Sequence, residues 1–470
     1  APGDGVPAAA DAQASGAAPV SGEPIDVFTD VLHLQIDPRG GTVLRAELLG
    51  YGVTADEDSP PVALLDTRPA TYFVAQFGLT SASEVRPSHE EAFRTEDGGR
   101  SFRLAEGADA IEVPFVWTHE SGLSVRRVFR LERDSYVLQV REEVRNDGDS
   151  AWVGAPYCQL QRVEPPSQGS GFTNPAAYAF TGGAFYTPSE RYTKVKFENF
   201  AREGASLPQD ESGWIAMLQH HFTAVCIADT PSALSMRVGR APSGAPAYIA
   251  GHRGSGVQVA AGSSEVITTR AWIGPKLHDR LADTAPSLEC AVDFGRLTIL
   301  ASPLFWVLSK LHWLFGNWGW AIVGLVVLIK LVFFKLSEMQ YKSFAKMRAV
   351  QPRIEQLKER YGDDKQKFQM AMMELYKKEK INPMGGCLPI LVQIPVFIAL
   401  YWVLLESVEI RHAPWILWIQ SLTDRDPYFI LPIINMLAMW ATQKLTPTPG
   451  MDPFQKKLMM MMPLAFAALM

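Results

Sequence analysis

The grouping that stands out for chemistry is a lysine buried in an apolar run. Lys330 interrupts the stretch GWAIVGLVVLIKLVFFKL at residues 319–336. An ammonium at mid-membrane costs about 2.5–3.5 kcal/mol on insertion scales, so it normally has a use or an escape. Escape is available, because Lys335 stands five residues further on, about 8 Å along a helix, and the Lys330 stem can snorkel to the interface. The functional alternative is a cation in a water-filled cavity between helices, facing polar cargo. Gln393 and Asn435 sit inside other apolar runs. They either line that cavity or make hydrogen bonds between helices.

The rest of the chain offers little for catalysis. His119, His220, His221 and His252 occur without an HExxH or a Walker A loop. The glycine-rich Gly251–Gly256 segment lacks the helix that a phosphate cradle needs. His220 and His221 are adjacent, and in a strand they would point to opposite faces, which disfavours a shared metal ion. Trp117 and Trp214 could stack on a sugar but read as core or rim packing. Cys158, Cys226, Cys290 and Cys387 show no CxxC and no metal spacing. Buried free thiols are the default, and one bridge among the first three is the alternative if that region is exported. No catalytic residue, metal or cofactor is indicated, so a non-enzymatic protein is expected.

These residues must be positioned by regions of unlike chemistry. Across 470 residues with a net charge of -6, residues 1–334 carry 27 Lys+Arg and 38 Asp+Glu, residues 335–380 carry 12 and 7, and residues 381–470 carry 5 and 5. The differences of -11, +5 and 0 describe an acidic block, a short basic block and a nearly uncharged apolar block. That is the profile of a membrane protein with a large domain on one side. It excludes a disulfide scaffold, a disordered chain and a specific nucleic-acid binder.

Residues 1–23, rich in Ala, Gly, Pro and Ser, read as a flexible linker. Residues 24–290 read as an all-β sandwich. Leu32, Leu34 and Ile36 alternate with His33 and Gln35, and Tyr136, Leu138 and Val140 alternate with Gln139 and Arg141. This is the period of half-buried strands. Turn clusters recur at 37–41, 96–99 and 146–148.

The remainder is helical. Residues 297–316 fit an amphipathic helix lying in the interface. Transmembrane helices are expected at 317–337, 385–405 and, shorter, 428–443, with a truncated one at 458–470. Loops 338–384 and 444–457 are basic and belong in the cytoplasm, whereas loop 406–427 is acidic and lies outside. The β domain then faces the periplasm of a bacterial inner membrane. Met459–Met462 read as lipid-facing filler, the alternative being a soft sliding surface. The absence of a leader before Ala1 and the run cut at Met470 suggest a gene product longer at both ends.

The basic loop has its own pattern. Ile354, Leu357 and Tyr361 share one helical face, as do Phe368, Met372 and Leu375, and Gly362-Asp363-Asp364 between them reads as a stop and a fresh cap. An antiparallel hairpin is expected, with Arg353, Lys358, Arg360 and Lys365 among its exposed cations. These are either a solvated topology signal or a docking platform.

The run Asn317-Trp318-Gly319-Trp320, then Lys330, then GDDKQ at 362–366 and NPMGGCLPILVQIPVFIALY at 382–401 strongly resembles the YidC/Oxa/Alb membrane insertase family. Weaker likenesses at 182–192 and 212–222 extend to the periplasmic domain of its Gram-negative members. The resemblance implies a β-supersandwich of galactose-mutarotase type joined to a helical insertase core. It implies an insertase and membrane chaperone, working alone or beside the Sec translocon without nucleotide. Its partners would be nascent membrane proteins, membrane lipids, the ribosome and a targeting receptor. The family's groove cation is usually Arg, and Lys330 occupies that place with Gln393 and Asn435 as further groove residues. Val326 stands where a threonine is often found. The hairpin positions Arg353, Lys358, Arg360, Asp363, Asp364 and Lys365 match the segment that receives cargo and targeting factors. The competing class is a membrane-anchored periplasmic carbohydrate-binding or epimerase-like protein, although fold alone says little about activity. An ion-coupled transporter would want paired intramembrane charges or inverted repeats.

Overall fold

The computed structural model describes residues 22–166, 179–204, 207–362, 364–381, 388–445, 457–458 and 460–462. The chain divides into two compact units, Ala1–Asp293 and Phe294–Met470.

The first unit is a β-sandwich with eighteen strands among its described residues. The expected alternation is present: Leu32, Leu34 and Ile36 are buried, while His33 and Gln35 between them are half-exposed. Leu123–Glu132, Val137–Asn146 and Ser263–Pro275 form successive antiparallel ladders whose inward residues fill the core. At the tight turn after Leu32–Ile36, Gly40 has φ +67°, and a Cβ there would come within 2.0 Å of the His89 carbonyl oxygen. Only glycine fits. Arg127 crosses the same region, fully buried against Glu142 with Nη2 at 2.6 Å from Oε1. Its guanidinium also donates to the Gly40 and Pro87 carbonyls and lies over the Phe93 ring. This one side chain therefore holds two loops to the ladder.

Three expectations for this unit need comment. Cys158 and Cys226 are not free thiols but form a disulfide between Trp152–Val163 and Phe222–Arg240, with Cα atoms 5.8 Å apart. Sequence distance hid the pairing, because 68 residues separate two positions that the sheets bring face to face. A disulfide suits an oxidising compartment. Cys290 is free. The His220 and His221 rings stack 3.8 Å apart instead of pointing to opposite faces, because they occupy the turn between Glu211–Leu218 and Phe222–Arg240 rather than a strand. Trp117 and Trp214 are core residues, and the Trp214 indole donates to the Pro286 carbonyl. Two short helices, α1 (Phe200–Glu203) and α2 (His278–Thr284), complete the unit.

The second unit is helical: α3 (Thr298–Phe315), α4 (Trp318–Val332), α5 (Phe334–Ala349), α6 (Gln351–Tyr361), α7 (Lys365–Lys378), α8 (Leu388–Glu406) and α9 (Ile430–Leu445). α3 packs on α4 and α8, α5 touches α8, and α6 packs on α7. Among the described residues α3 and α8 are long and apolar enough to cross a membrane. α3 thus has the composition of a span as well as that of the interfacial helix expected for 297–316. The expected span 317–337 is divided. α4 ends at Val332, and α5 leaves it at 66° across Phe333. No proline or glycine marks that bend, so the apolar run gave no warning of it. α9 has 16 residues, about 24 Å of rise. The truncated helix expected at 458–470 lies mostly outside the described residues.

Candidate functional site

The start of α4 shows why Asn317-Trp318-Gly319-Trp320 reads as it does. Asn317 caps the helix by accepting a hydrogen bond from Trp320 N at 3.2 Å. Its amide also donates to the Pro414 carbonyl at 3.0 Å, which ties the 406–427 loop to α4. Gly319 leaves a slot for Trp415, since a Cβ at Gly319 would come within 2.1 Å of the Trp415 ring. Trp415 then meets Trp320 edge-on, and Trp318 stacks on His312 of α3.

From this anchored end, α4 buries Ala321, Leu325 and Ile329 at helical spacing. Val327, Leu331 and Val332 face outward, as lipid contact requires. Lys330 falls in the last turn, with its side chain exposed. Helix carbonyls there carry partial negative charge that favours a cation. Its Nζ lies 5.3 Å from the centroid of the Phe397 ring on α8, within cation–π range. Gln393 is one turn before Phe397 on the same face of α8 and is half-buried. Asn435 stands on α9, exposed amid outward-facing Leu431, Ile433, Ile434 and Leu437. Pro395 lies inside α8 between Gln393 and Phe397, where it removes a backbone donor from the ladder.

The hairpin is built around Ile354. It packs with Met347, Val350, Tyr376 and Ile381, and Phe344, Phe368, Met372 and Leu375 close the cluster. The paired stripes expected from spacing are thus joined by a third element, α5. Asp364 caps α7 by accepting from Lys367 N at 3.0 Å. Hydrogen bonds from Lys367 hold the Asp364 carboxyl below its ordinary value. Arg353 pairs with Glu379 across the hairpin. Lys358 and Arg360 are exposed on α6. Lys365 opens α7, and Asp363 lies outside the described residues.

Phe397 and the Trp415–Gly319 contact were missed from sequence. Phe397 carried one signal, its i+4 relation to Gln393. Trp415 had none, because its partner is 96 residues away.

Comparison with known proteins agrees with this architecture. The family described as YidC periplasmic domain matches residues 24–307, and the family described as 60Kd inner membrane protein matches residues 310–470. The membrane protein insertase YidC of Stenotrophomonas maltophilia (strain R551-3) is 48% identical over 475 residues, covering 99% of this chain and 81% of that protein. Its counterpart in Xanthomonas campestris pv. campestris (strain 8004) is 49% identical, covering 97% of this chain and 78% of that protein. Among solved structures, a galactose mutarotase related enzyme from Lactobacillus acidophilus is 8% identical, over 53% of this chain and 97% of that one, with a TM-score of 0.34. A putative aldose 1-epimerase from Escherichia coli K12 is 12% identical, over 53% and 98%, with a TM-score of 0.30. The chain belongs to the YidC family of membrane protein insertases of the inner membrane.

Proposed function

We propose that this insertase works through a polar groove in which Lys330 is the cation that receives acidic residues of a nascent membrane protein. The observation that carries the reading is the setting of Lys330, exposed in the last turn of α4 and facing Phe397 one turn from Gln393. Asn435 is the third groove residue. α4 has 15 residues before the elbow at Phe333, about 22 Å of rise against a bilayer core of ~30 Å. A short helix thins the bilayer locally and lowers the cost of passing polar backbone. The ammonium is near the elbow, where water and helix-end carbonyls offset its insertion penalty. Cargo that enters head-first then slides its apolar segment out to lipid, and hydrophobic burial drives release. No covalent step is needed.

The hairpin receives cargo, ribosome and targeting receptor through the cations Arg353, Lys358, Arg360 and Lys365, with Asp363 and Asp364 shaping the turn. The β-sandwich lies in the periplasm, a placement supported by the Cys158–Cys226 bridge. Insertion proceeds alone or with the Sec translocon. The test is insertion of an acidic-tailed cargo into proteoliposomes. Lys330→Arg should retain activity, whereas Lys330→Ala and Lys330→Glu should lose it progressively. Full activity in Lys330→Glu would sink the groove role.

A further inference from the structure

One face of the β-sandwich carries a polar row that insertion does not use. Four strands lie side by side there: Phe73–Ser81, Trp152–Val163, Pro246–Gly254 and Phe222–Arg240. Cys158, Leu160, Leu234 and Met236 are buried in the core. The residues that alternate with them point the other way, and Gln76, Gln159, Gly251 and Ser235 fall in register across that face. Gly251 keeps the middle of the row open, since a Cβ there would come within 2.7 Å of the Gln159 Cβ. Half-buried Arg237, two residues beyond Ser235, reaches across this gap to Gln159.

Two features point to an occupant. First, the row is a directed relay. A guanidinium only donates, so Arg237 Nη2, at 3.2 Å, fixes which end of the Gln159 amide carries the oxygen. The Gln159 nitrogen then donates to Gln76 Oε1 at 2.7 Å. Donors are left at both ends, Gln76 Nε2 at one and Arg237 Nε and Nη1 at the other. Among the described residues these three nitrogens have no acceptor, and each keeps accessible surface. Second, the charge is uncompensated. Among the described residues no carboxylate pairs with Arg237, and burial holds its guanidinium below the ordinary value with only the Tyr157 phenol opposing. Burial and the charges of Arg127, Arg237 and Arg39 hold the His89 imidazole down to about 4, so Arg39 adds to the same positive field. Arg127 is already matched by Glu142. A half-buried cation among free donors attracts an anion. A cationic ligand would be repelled, and a neutral one would leave the guanidinium unbalanced. The donor ends stand two strand spacings apart, about 9.5 Å. One phosphate or carboxylate does not span that distance, whereas about three residues of extended chain do.

We propose that this face binds an extended acidic peptide, with an Asp or Glu carboxylate on the free N–H groups of Arg237 and a main-chain carbonyl accepting from Gln76 Nε2. The site belongs to the sandwich and stands or falls independently of the Lys330 groove.

The test uses the full chain in phosphatidylcholine nanodiscs, in a Lys330→Ala background so that the groove cation contributes nothing. Rhodamine-labelled Gly-Thr-Asp-Thr-Asp-Gly and its Asn counterpart would be titrated by fluorescence anisotropy, with inorganic phosphate as competitor. The acidic peptide should bind saturably and at least tenfold tighter than the Asn peptide, and Arg237→Gln should remove that preference. Gln76→Leu should weaken the acidic peptide several-fold and serves if Arg237→Gln loses exchange protection in Phe222–Arg240. Absence of saturable binding, or equal affinity for the two peptides, would overturn the proposal. So would an acid preference unchanged in folded Arg237→Gln, or phosphate displacing the peptide at concentrations near the peptide's own Kd, which would mark a small-anion site.

Discussion

Lys330 of α4 and Phe397 of α8 meet as a cation over an aromatic face, with Nζ 5.3 Å from the ring centroid. Such contacts contribute about 0.5–2 kcal/mol, so the ring orients the ammonium without neutralising it. Phe397→Ala should reduce insertion of acidic-tailed cargo several-fold, Phe397→Trp should retain it, and cargo without acidic residues should respond little to either. Proteoliposome insertion of both cargo types by both variants checks this.

Gly319 makes room for Trp415, so Gly319→Val should expel that indole and loosen the 406–427 loop. Overpacking of this kind costs about 1–3 kcal/mol. Faster hydrogen exchange in the loop, with the β-sandwich unaffected, is the expected signature.

The buried Arg127–Glu142 pair should be intolerant of half-removal. Arg127→Met or Glu142→Gln alone should cost about 3–5 kcal/mol by leaving one partner buried unpaired. Burial already pushes the Glu142 carboxyl upward, with Arg127 opposing. Replacing both by apolar residues should recover part of the loss in urea unfolding. A double variant no better than the worse single one would show that the Gly40 and Pro87 contacts dominate instead.

Acid should weaken the sandwich over a defined window. Burial holds the His252 imidazole down to about 4, and burial with repulsion from Arg127, Arg237 and Arg39 does the same for His89. Above pH 6.5 both are neutral folded or unfolded. As pH falls from about 6.5 towards 4, the unfolded chain takes up protons that the folded one refuses, and stability drops by up to ~1.4 kcal/mol per pH unit for each histidine. His252→Gln should flatten the profile, read by exchange protection of Pro246–Gly254 between pH 7.5 and 4.5.

Ile354 anchors the hairpin cluster. Ile354→Asp should unfold α6 and α7 and abolish productive cargo loading while leaving the disulfide-linked sandwich intact. Insertion and limited proteolysis of the same preparation separate the two effects.

Local features were readable because each depends on residues close in the chain. The alternation in Leu32–Ile36, the Asp364 cap and the stripes meeting at Ile354 all follow from spacing within a strand or a helical turn. The bend at Phe333 was not, since an unbroken apolar run carries no punctuation and packing of α5 against the hairpin and α8 redirects the chain. Nor did the adjacent histidines betray that they share a turn.

The sequence by itself determined the division into acidic sandwich, basic hairpin and apolar helices, and it singled out Lys330 through the cost of a charge in lipid. Tertiary structure alone decided who faces whom: Cys158 with Cys226, Trp415 in the Gly319 slot, and Phe397 beneath Lys330. The physical reason is range. Periodicity and charge act between neighbours along the chain, whereas pairing, burial and cavities arise between residues that only the completed packing brings together.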